Sequence, residues 1–353
     1  HNILMNDGNN TFITHNFLPQ NELIFLHSLG LMDADLDGDL DLLAIQEEDD
    51  DQFMLYLNNG MNDEGHPEFS QVYTFYRTYG GYSASRILAI ADYDNDGDQD
   101  VYVGRKYGYN WFFENQTLTG TPGDVTYHSN PEPFFIEKAL ELGIADPEVN
   151  EIGSMGYGAA WGDYDNDQDF DLYLANWGVN RLFNNENNIF SNVADVQYVE
   201  SEELSNGVSW GDYNNDGMLD LWTSNIRNPD DVFINLGNSE WDTTSSPQFL
   251  SATQDVVSGD INGDGWLDVF AAGLKMQNGP EGAKYTSLLY KNVTVDSSFS
   301  TNHWLKLKLE GSQYALPNGE WSDKSNLSAI GARVVLHLAD QNIMREIIGG
   351  KGH

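Results

Sequence analysis

The stretch WGDYDNDQDFDLYLAN, Trp161 to Asn176, sets aspartates on five alternate positions, Asp163, Asp165, Asp167, Asp169 and Asp171, and then runs straight into an apolar segment. Carboxylates crowded this closely repel one another unless a cation sits among them. The stretch also recurs. DADLDGDLD (Asp33 to Asp41), DYDNDGDQD (Asp92 to Asp100), DYNNDGMLD (Asp212 to Asp220) and DINGDGWLD (Asp260 to Asp268) repeat it, with start-to-start spacings of 59, 71, 49 and 48 residues. Self-similarity on this scale marks a stacked repeat of roughly fifty residues, with insertions in its first two gaps.

The flanks of the loop recur too. A short strand precedes it (SRILAIAD, GYGAAWGD, NGVSWGD, DVVSGD) and another follows (DLLAI, DVYVG, DLYLAN, DLWTSN, DVFAAG). A third strand ends in Asn-rich turn chemistry (FMLYLNNG, NWFFENQT, NRLFNNE, DVFINLGN, SLLYKNVT), and a weaker fourth follows in PEFSQVYTF and FSNVADVQY. Four short strands per unit with Asn, Gly and Asp turns is the pattern of a β-propeller blade, so the expected fold is all-β. Five full or nearly full blades are visible, and NILMNDGNNTFI matches the third and fourth strands of a sixth. Helical periodicity is confined to FIEKALELGI (Phe135 to Ile144), enough for a turn or two.

A loop of the form D-x-[DN]-x-D-G-x-x-D reads as a shortened calcium loop. Its first, third and fifth positions offer side-chain oxygens: Asp33, Asp35 and Asp37; Asp92, Asp94 and Asp96; Asp163, Asp165 and Asp167; Asp212, Asn214 and Asp216; Asp260, Asn262 and Asp264. The seventh offers its backbone carbonyl, from Asp39, Asp98, Asp169, Met218 or Trp266. The last acid, Asp41, Asp100, Asp171, Asp220 or Asp268, closes the shell. Calcium takes six to eight oxygens at about 2.3–2.6 Å, which this spacing can wrap around one ion, so about five structural Ca²⁺ ions are expected. No histidine lies in any loop, which argues against zinc. Loops four and five, with Asn214 and Asn262, keep an oxygen but lose a charge and are expected to bind more weakly. Loop three carries Gln168 where its sisters carry glycine. A positive φ there costs a non-glycine residue on the order of 1–2 kcal/mol.

The chain of 353 residues carries 16 Lys and Arg against 56 Asp and Glu, a formal net charge of −40, which argues against nucleic acid and anionic membrane surfaces as partners. Hydrophobic content of 40% suffices for a sizeable core and argues against disorder. With no cysteine there is neither a disulfide framework nor a thiolate metal site. The opening HNILMNDGNN, without an initiator Met, reads as a piece of a longer precursor.

WGDYDNDQDFDLYLAN followed by NRLFNNE resembles the FG-GAP/VCBS repeat of integrin α-chain propellers and many bacterial surface proteins. The resemblance implies an extracellular calcium-binding propeller, commonly of seven blades, over residues 1–298; Gln168 departs from the family's usual glycine. The tail, residues 299–353, resembles part of the ASPIC/UnbV domain that follows such repeats in proteins similar to cartilage acidic protein. That likeness rests on Asn302, His303, Trp304 and Leu305, on Ala329, Ile330, Gly331, Ala332 and Arg333, and on Gly349, Gly350 and Gly352.

Other patterns carry less. GVSWG (Gly207 to Gly211) has the G-x-S-x-G form but lies in a first strand rather than a strand–turn–helix. GYGAAWG (Gly156 to Gly162) only approximates a dinucleotide loop, and its small residues suit close packing near the propeller axis. Several of Trp111, Trp177, Trp222, Tyr107 and Tyr109 lie at or just after a second strand, where loops can reach a propeller face; they could stack on sugar rings or anchor a protein, or simply pack between blades. The expectation is a non-enzymatic, secreted or surface-exposed calcium propeller, on a bacterial outer surface, that binds a protein or glycan. A calcium-assisted polysaccharide lyase, with a thin basic set in Arg86, Arg105 and Lys106, and a scaffold subunit of an envelope assembly are the alternatives.

Overall fold

The computed structural model describes residues 2–6, 11–16, 26–46, 51–63, 65, 67–77, 84–106, 108–121, 123–146, 155–245, 253–273, 287–293, 305, 307–309, 329–338 and 341–347. Among the described residues every regular element is a strand. At the N-terminus β1 (Asn2–Asn6) and β2 (Phe12–Asn16) form the expected hairpin. Blade one is β3 (Leu26–Met32), β4 (Asp41–Gln46), β5 (Asp51–Met61) and β6 (Pro67–Arg77). Blade two is β7 (Ser85–Ala91), β8 (Asp100–Arg105) and β9 (Trp111–Asn115). An inserted hairpin, β10 (Leu118–Thr121) and β11 (Asp124–Tyr127), comes before its fourth strand, β12 (Phe135–Glu137). Blade three is β13 (Gly156–Gly162), β14 (Asp171–Asn176), β15 (Arg181–Glu186) and β16 (Ile189–Asn192). Blade four is β17 (Ser205–Gly211), β18 (Asp220–Asn225), β19 (Asp231–Asn235) and β20 (Trp241–Ser245). Blade five shows β21 (Thr253–Gly259), β22 (Asp268–Gly273) and β23 (Leu288–Tyr290). A last hairpin pairs β24 (Arg333–His337) with β25 (Asn342–Glu346).

Each blade is an antiparallel meander, first strand to last, as its sequence pattern requires. The second strands β4, β8, β14 and β18 are buried along their whole length; blades on either side cover β8, β14 and β18, while β4 packs against blade two on one face and against its own blade's Met54, Tyr56 and Phe69 on the other. The core therefore lies between blades. Phe53 of blade one stacks on Phe113 of blade two at 4.3 Å, with Leu43, Ile45, Leu88 and Val103 around them. Tyr102 and Phe112 meet Leu172 and Leu174 between blades two and three, and Tyr173 and Leu182 meet Val208 and Leu221 between three and four. First strands of successive blades pack side by side, from β3 through β7, β13 and β17 to β21. The expected small-residue packing is found there: a Cβ on Gly158 would run into the Asn206 carbonyl oxygen.

Two local expectations change. Phe135–Glu137 is a strand paired with β9, and the remainder of FIEKALELGI makes one turn, in which the Leu142 N–H donates to the Lys138 carbonyl at 2.9 Å. Pairing with blade two wins over the weak helical pattern. In FSNVADVQY the strand stops at Asn192 and a turn follows, with the Gln197 N–H donating to the Val193 carbonyl at 2.9 Å. Of the tail residues that resemble ASPIC/UnbV, Asn302, His303, Trp304, Gly349, Gly350 and Gly352 lie outside the described residues.

Candidate metal centres in the repeat loops

Between first and second strand each loop takes two left-handed steps, at its fourth and sixth positions. They are Leu36 and Gly38 (φ 59° and 93°), Asn95 and Gly97 (62° and 107°), Asn166 and Gln168 (61° and 80°), Asn215 and Gly217 (57° and 92°), and Gly263 and Gly265 (75° and 86°). Only glycine and, to a degree, asparagine occupy this region easily. Gln168 is thus strained as its sequence position foretold. Leu36 is a second strained point that sequence reading missed, although Asn or Gly at the fourth position of the four sister loops signalled it.

Wound this way, the chain aims backbone N–H groups at the first carboxylate. Gly38 donates to both oxygens of Asp33 at 3.2 and 3.1 Å. Asp96 and Gly97 donate to Asp92 at 3.1 and 3.2 Å, Asp216 and Gly217 to Asp212 at 3.0 and 2.9 Å, and Asp264 and Gly265 to Asp260, both at 3.0 Å. Loop three is the exception: both carboxylate oxygens of Asp163 are buried without a hydrogen-bond partner. The Gln168 N–H and the charge of Arg345 offset the burial of Asp163 only in part.

The last aspartate of each loop acts as a strut. Asp171 accepts from the Tyr164 N–H at 3.1 Å and from the Asn185 N–H, at the end of the third strand, at 2.8 Å. Asp41, Asp100, Asp220 and Asp268 repeat this with Ala34 and Asn58, Tyr93 and Asn115, Tyr213 and Asn235, and Ile261 and Asn292. The side-chain amides of Asn115, Asn185, Asn235 and Asn292 then donate to the carbonyls of Ala34, Tyr93, Tyr164 and Tyr213, each one blade back. Fourth-position asparagines tie each loop forward: Asn95 Nδ2 donates to Asp169 Oδ1 at 2.9 Å, Asn166 to the Gly217 carbonyl at 3.2 Å, and Asn215 to the Gly265 carbonyl at 3.1 Å.

Three sets of carboxylates close up so that one oxygen from each lies within 4.8 Å of the others: Asp33, Asp35 and Asp37; Asp92, Asp94 and Asp96; Asp163, Asp165 and Asp171. In loop four, Asn214 instead donates to Asp216 Oδ2 at 2.9 Å, and in loop five Asn262 donates to Asp268 Oδ2 at 3.3 Å. Burial is the main force pushing these carboxyls up: Asp33 and Asp163 to about 7, Asp41 and Asp220 to about 8. Neighbouring aspartates add to the rise, and the backbone N–H donors oppose it. Such a cluster takes up protons or a cation. Hard oxygens alone, with no nitrogen or sulfur, fit calcium or magnesium.

The model of the FG-GAP-like repeat matches residues 33–103, 163–223 and 212–271, about half the chain. The chain belongs to this family. A comparison with curated proteins gives no match. Among solved structures, BBS1N in complex with ARL6DN, from a lead-soaked crystal, is similar at 9% identity with a TM-score of 0.34, over 71% of this chain and 75% of that one. A mercury-soaked crystal of the same complex gives 9%, 0.34, 70% and 77%.

The matched FG-GAP-like segments contain all five acidic loops, so the candidate centres belong to the repeat and not to an insertion. The remaining sequence candidates fare less well. Ser209 of GVSWG lies in β17 with its hydroxyl 2.9 Å from that of Ser258, a strand-to-strand contact. Trp111 is fully buried, with the Arg105 guanidinium 4.2 Å from its ring centre. Trp222 is buried and donates to Asp230 at 3.1 Å. Neither can stack on a ligand; blade packing claims both. Trp177 stacks on Tyr157 at 4.3 Å and donates to Asn206 at 2.6 Å, Tyr109 is half-buried against the core, and Tyr107 lies outside the described residues.

Proposed function

We propose that this FG-GAP-like propeller binds Ca²⁺ in its repeat loops and works as an extracellular, non-catalytic module for adhesion or for binding a protein or glycan. The observation that carries the metal reading is Asp163: a buried carboxylate with both oxygens unpartnered, beside Asp165 and Asp171. A charge buried there with so little compensation would cost roughly a few kcal/mol, and a cation lowers that cost. Bound calcium would supply charge neutralisation and rigidity, with Asp33, Asp92, Asp163, Asp212 and Asp260 as first ligands. The bond network from loop to loop would spread that rigidity around one rim. The segment 299–353 is proposed as a separate ASPIC/UnbV-like unit, and the strongly acidic surface favours neutral or basic partners.

Equilibrium dialysis against Ca²⁺ tests the metal claim: about five ions per chain are expected, bound in preference to Mg²⁺. Absence of bound calcium at millimolar free ion would overturn it. A glycan array and surface-protein panel, each run with calcium and with chelator, tests the binding role, which fails if no calcium-dependent ligand is found.

A further inference from the structure

The hairpin β24–β25 sits on the acidic loops. Met344 is buried with Ala91 and Phe170. Arg333 Nη2 donates to the Asp92 carbonyl at 2.6 Å, lies 3.5 Å from both Asp92 Oδ2 and Glu346 Oε2, and its guanidinium stands 5.0 Å from the Phe170 ring centre. Gln99 donates to Glu346 Oε1 at 2.6 Å. The half-buried Arg345 acts on Asp163 and Asp212 as their nearby positive charge. On the other side a Cβ on Gly217 would meet Gln341 Nε2 at 2.8 Å and Ile343 Cδ1 at 3.1 Å. One hairpin thus touches loop two at Asp92, loop three at Phe170 and loop four at Gly217, and carries a positive charge toward the first aspartates of loops three and four.

Resting on the calcium reading above, we propose that the hairpin is a cap whose docking is linked to metal occupancy of loops two, three and four: filled loops form its seat, and emptying them releases it. The seat is made of loop parts, the Asp92 carbonyl and the turn at Gly217, whose positions depend on the winding around the first carboxylates. Crowded carboxylates without a cation repel one another and loosen that winding. Arginine and metal need not compete: loops two and three carry five aspartates each, so one divalent ion leaves either loop negative and still attractive to a guanidinium. A two-stranded hairpin alone is marginal in water, so β24–β25 depends on its seat. Its Met344, Arg345 and Glu346 also line a cavity of about 630 Å³ that reaches Leu88, Ala159 and Asp255 between the blades. Release of the cap would take those three residues out of its wall and widen it.

Hydrogen exchange of the full chain, in saturating calcium and after chelation, tests the link. Amides of Asn342–Glu346 should exchange about tenfold faster after chelation while those of β14 stay protected. Loops that respond to calcium beneath a hairpin that does not would overturn the cap and leave the calcium reading intact; loops that do not respond would overturn both. If β14 opens together with the hairpin, the reciprocal measurement decides, because linkage runs both ways. Met344→Asn removes the apolar anchor without changing charge and should weaken calcium binding in titration calorimetry by about threefold or more at a subset of sites. Unchanged affinity with an undocked hairpin sinks the proposal.

Discussion

The side-chain amide of Asn185 donates at 3.2 Å to the backbone carbonyl of Tyr93, a residue of the preceding blade's loop. The backbone N–H of the same asparagine donates at 2.8 Å to Asp171. One residue at the end of a third strand thus fixes its own acidic loop and the loop one blade back. Asn115, Asn235 and Asn292 do the same, so the candidate metal sites are mechanically joined. Strain or charge at one loop is felt by the next.

Asn235→Ala should therefore be costly. Its amide donates to the Tyr164 carbonyl at 2.8 Å and the Leu219 carbonyl at 3.2 Å, and truncation leaves buried acceptors without a donor. A loss of about 1–3 kcal/mol is expected in denaturant unfolding. The exposed Thr243→Ala should change stability by less than about 0.5 kcal/mol. Equal effects would show that the strut contributes nothing beyond ordinary strand content.

Leu36 and Gln168 hold positive φ in loops whose sisters place Asn or Gly there. Leu36→Asn and Gln168→Gly should each raise stability, by roughly 1 kcal/mol, since relief of left-handed strain exceeds the added freedom of the unfolded chain. Thermal unfolding of the two single variants and the double variant checks this. A fall in melting temperature for Gln168→Gly would mean that the glutamine side chain makes up for its backbone strain.

The period, the four strands per blade and the strain at Gln168 were legible because each follows from local spacing. The asparagine struts were not. Their distance from the last loop aspartate varies from Asp171 to Asn185 at one extreme to Asp268 and Asn292 at the other, and in sequence they look like turn residues. The sequence left the aromatics open between ligand stacking and blade packing for a related reason: exposure at Trp111 and Trp222 depends on the neighbouring blade, which no local window contains. Arg333 and Asp92 lie 241 residues apart, so the seat of the hairpin was invisible from sequence.

Folded-state pKa values raised by burial make stability pH-dependent with a definite sign. Asp33 and Asp163 at about 7, and Asp41 and Asp220 at about 8, hold protons that the unfolded chain releases near 3.8, the ordinary aspartate value. Their contribution to metal-free stability is fully present below that value and is lost as pH rises through 7 to 8. The chelated protein should accordingly melt higher at pH 5 than at pH 8. Calcium needs the ionised forms, so its stabilisation should grow over the same interval. A chelated chain that melts higher at pH 8 would contradict the raised values.

Asp163→Asn should split the two roles of this carboxylate. At pH 8 and without metal, the substitution removes a buried charge that has no hydrogen-bond donor, so the variant should be more stable than the parent chain by on the order of 1–3 kcal/mol. In calcium the order should reverse, because loop three loses its first ligand charge while Asp165 and Asp171 remain too few to hold the ion tightly. The same substitution at Asp212, whose carboxylate accepts from Asp216 and Gly217, should destabilise in both conditions. Paired melts with calcium and with chelator measure all four differences. A metal-free Asp163→Asn chain that is less stable than its parent would mean that Arg345 alone compensates the Asp163 charge, and loop three would then need no cation.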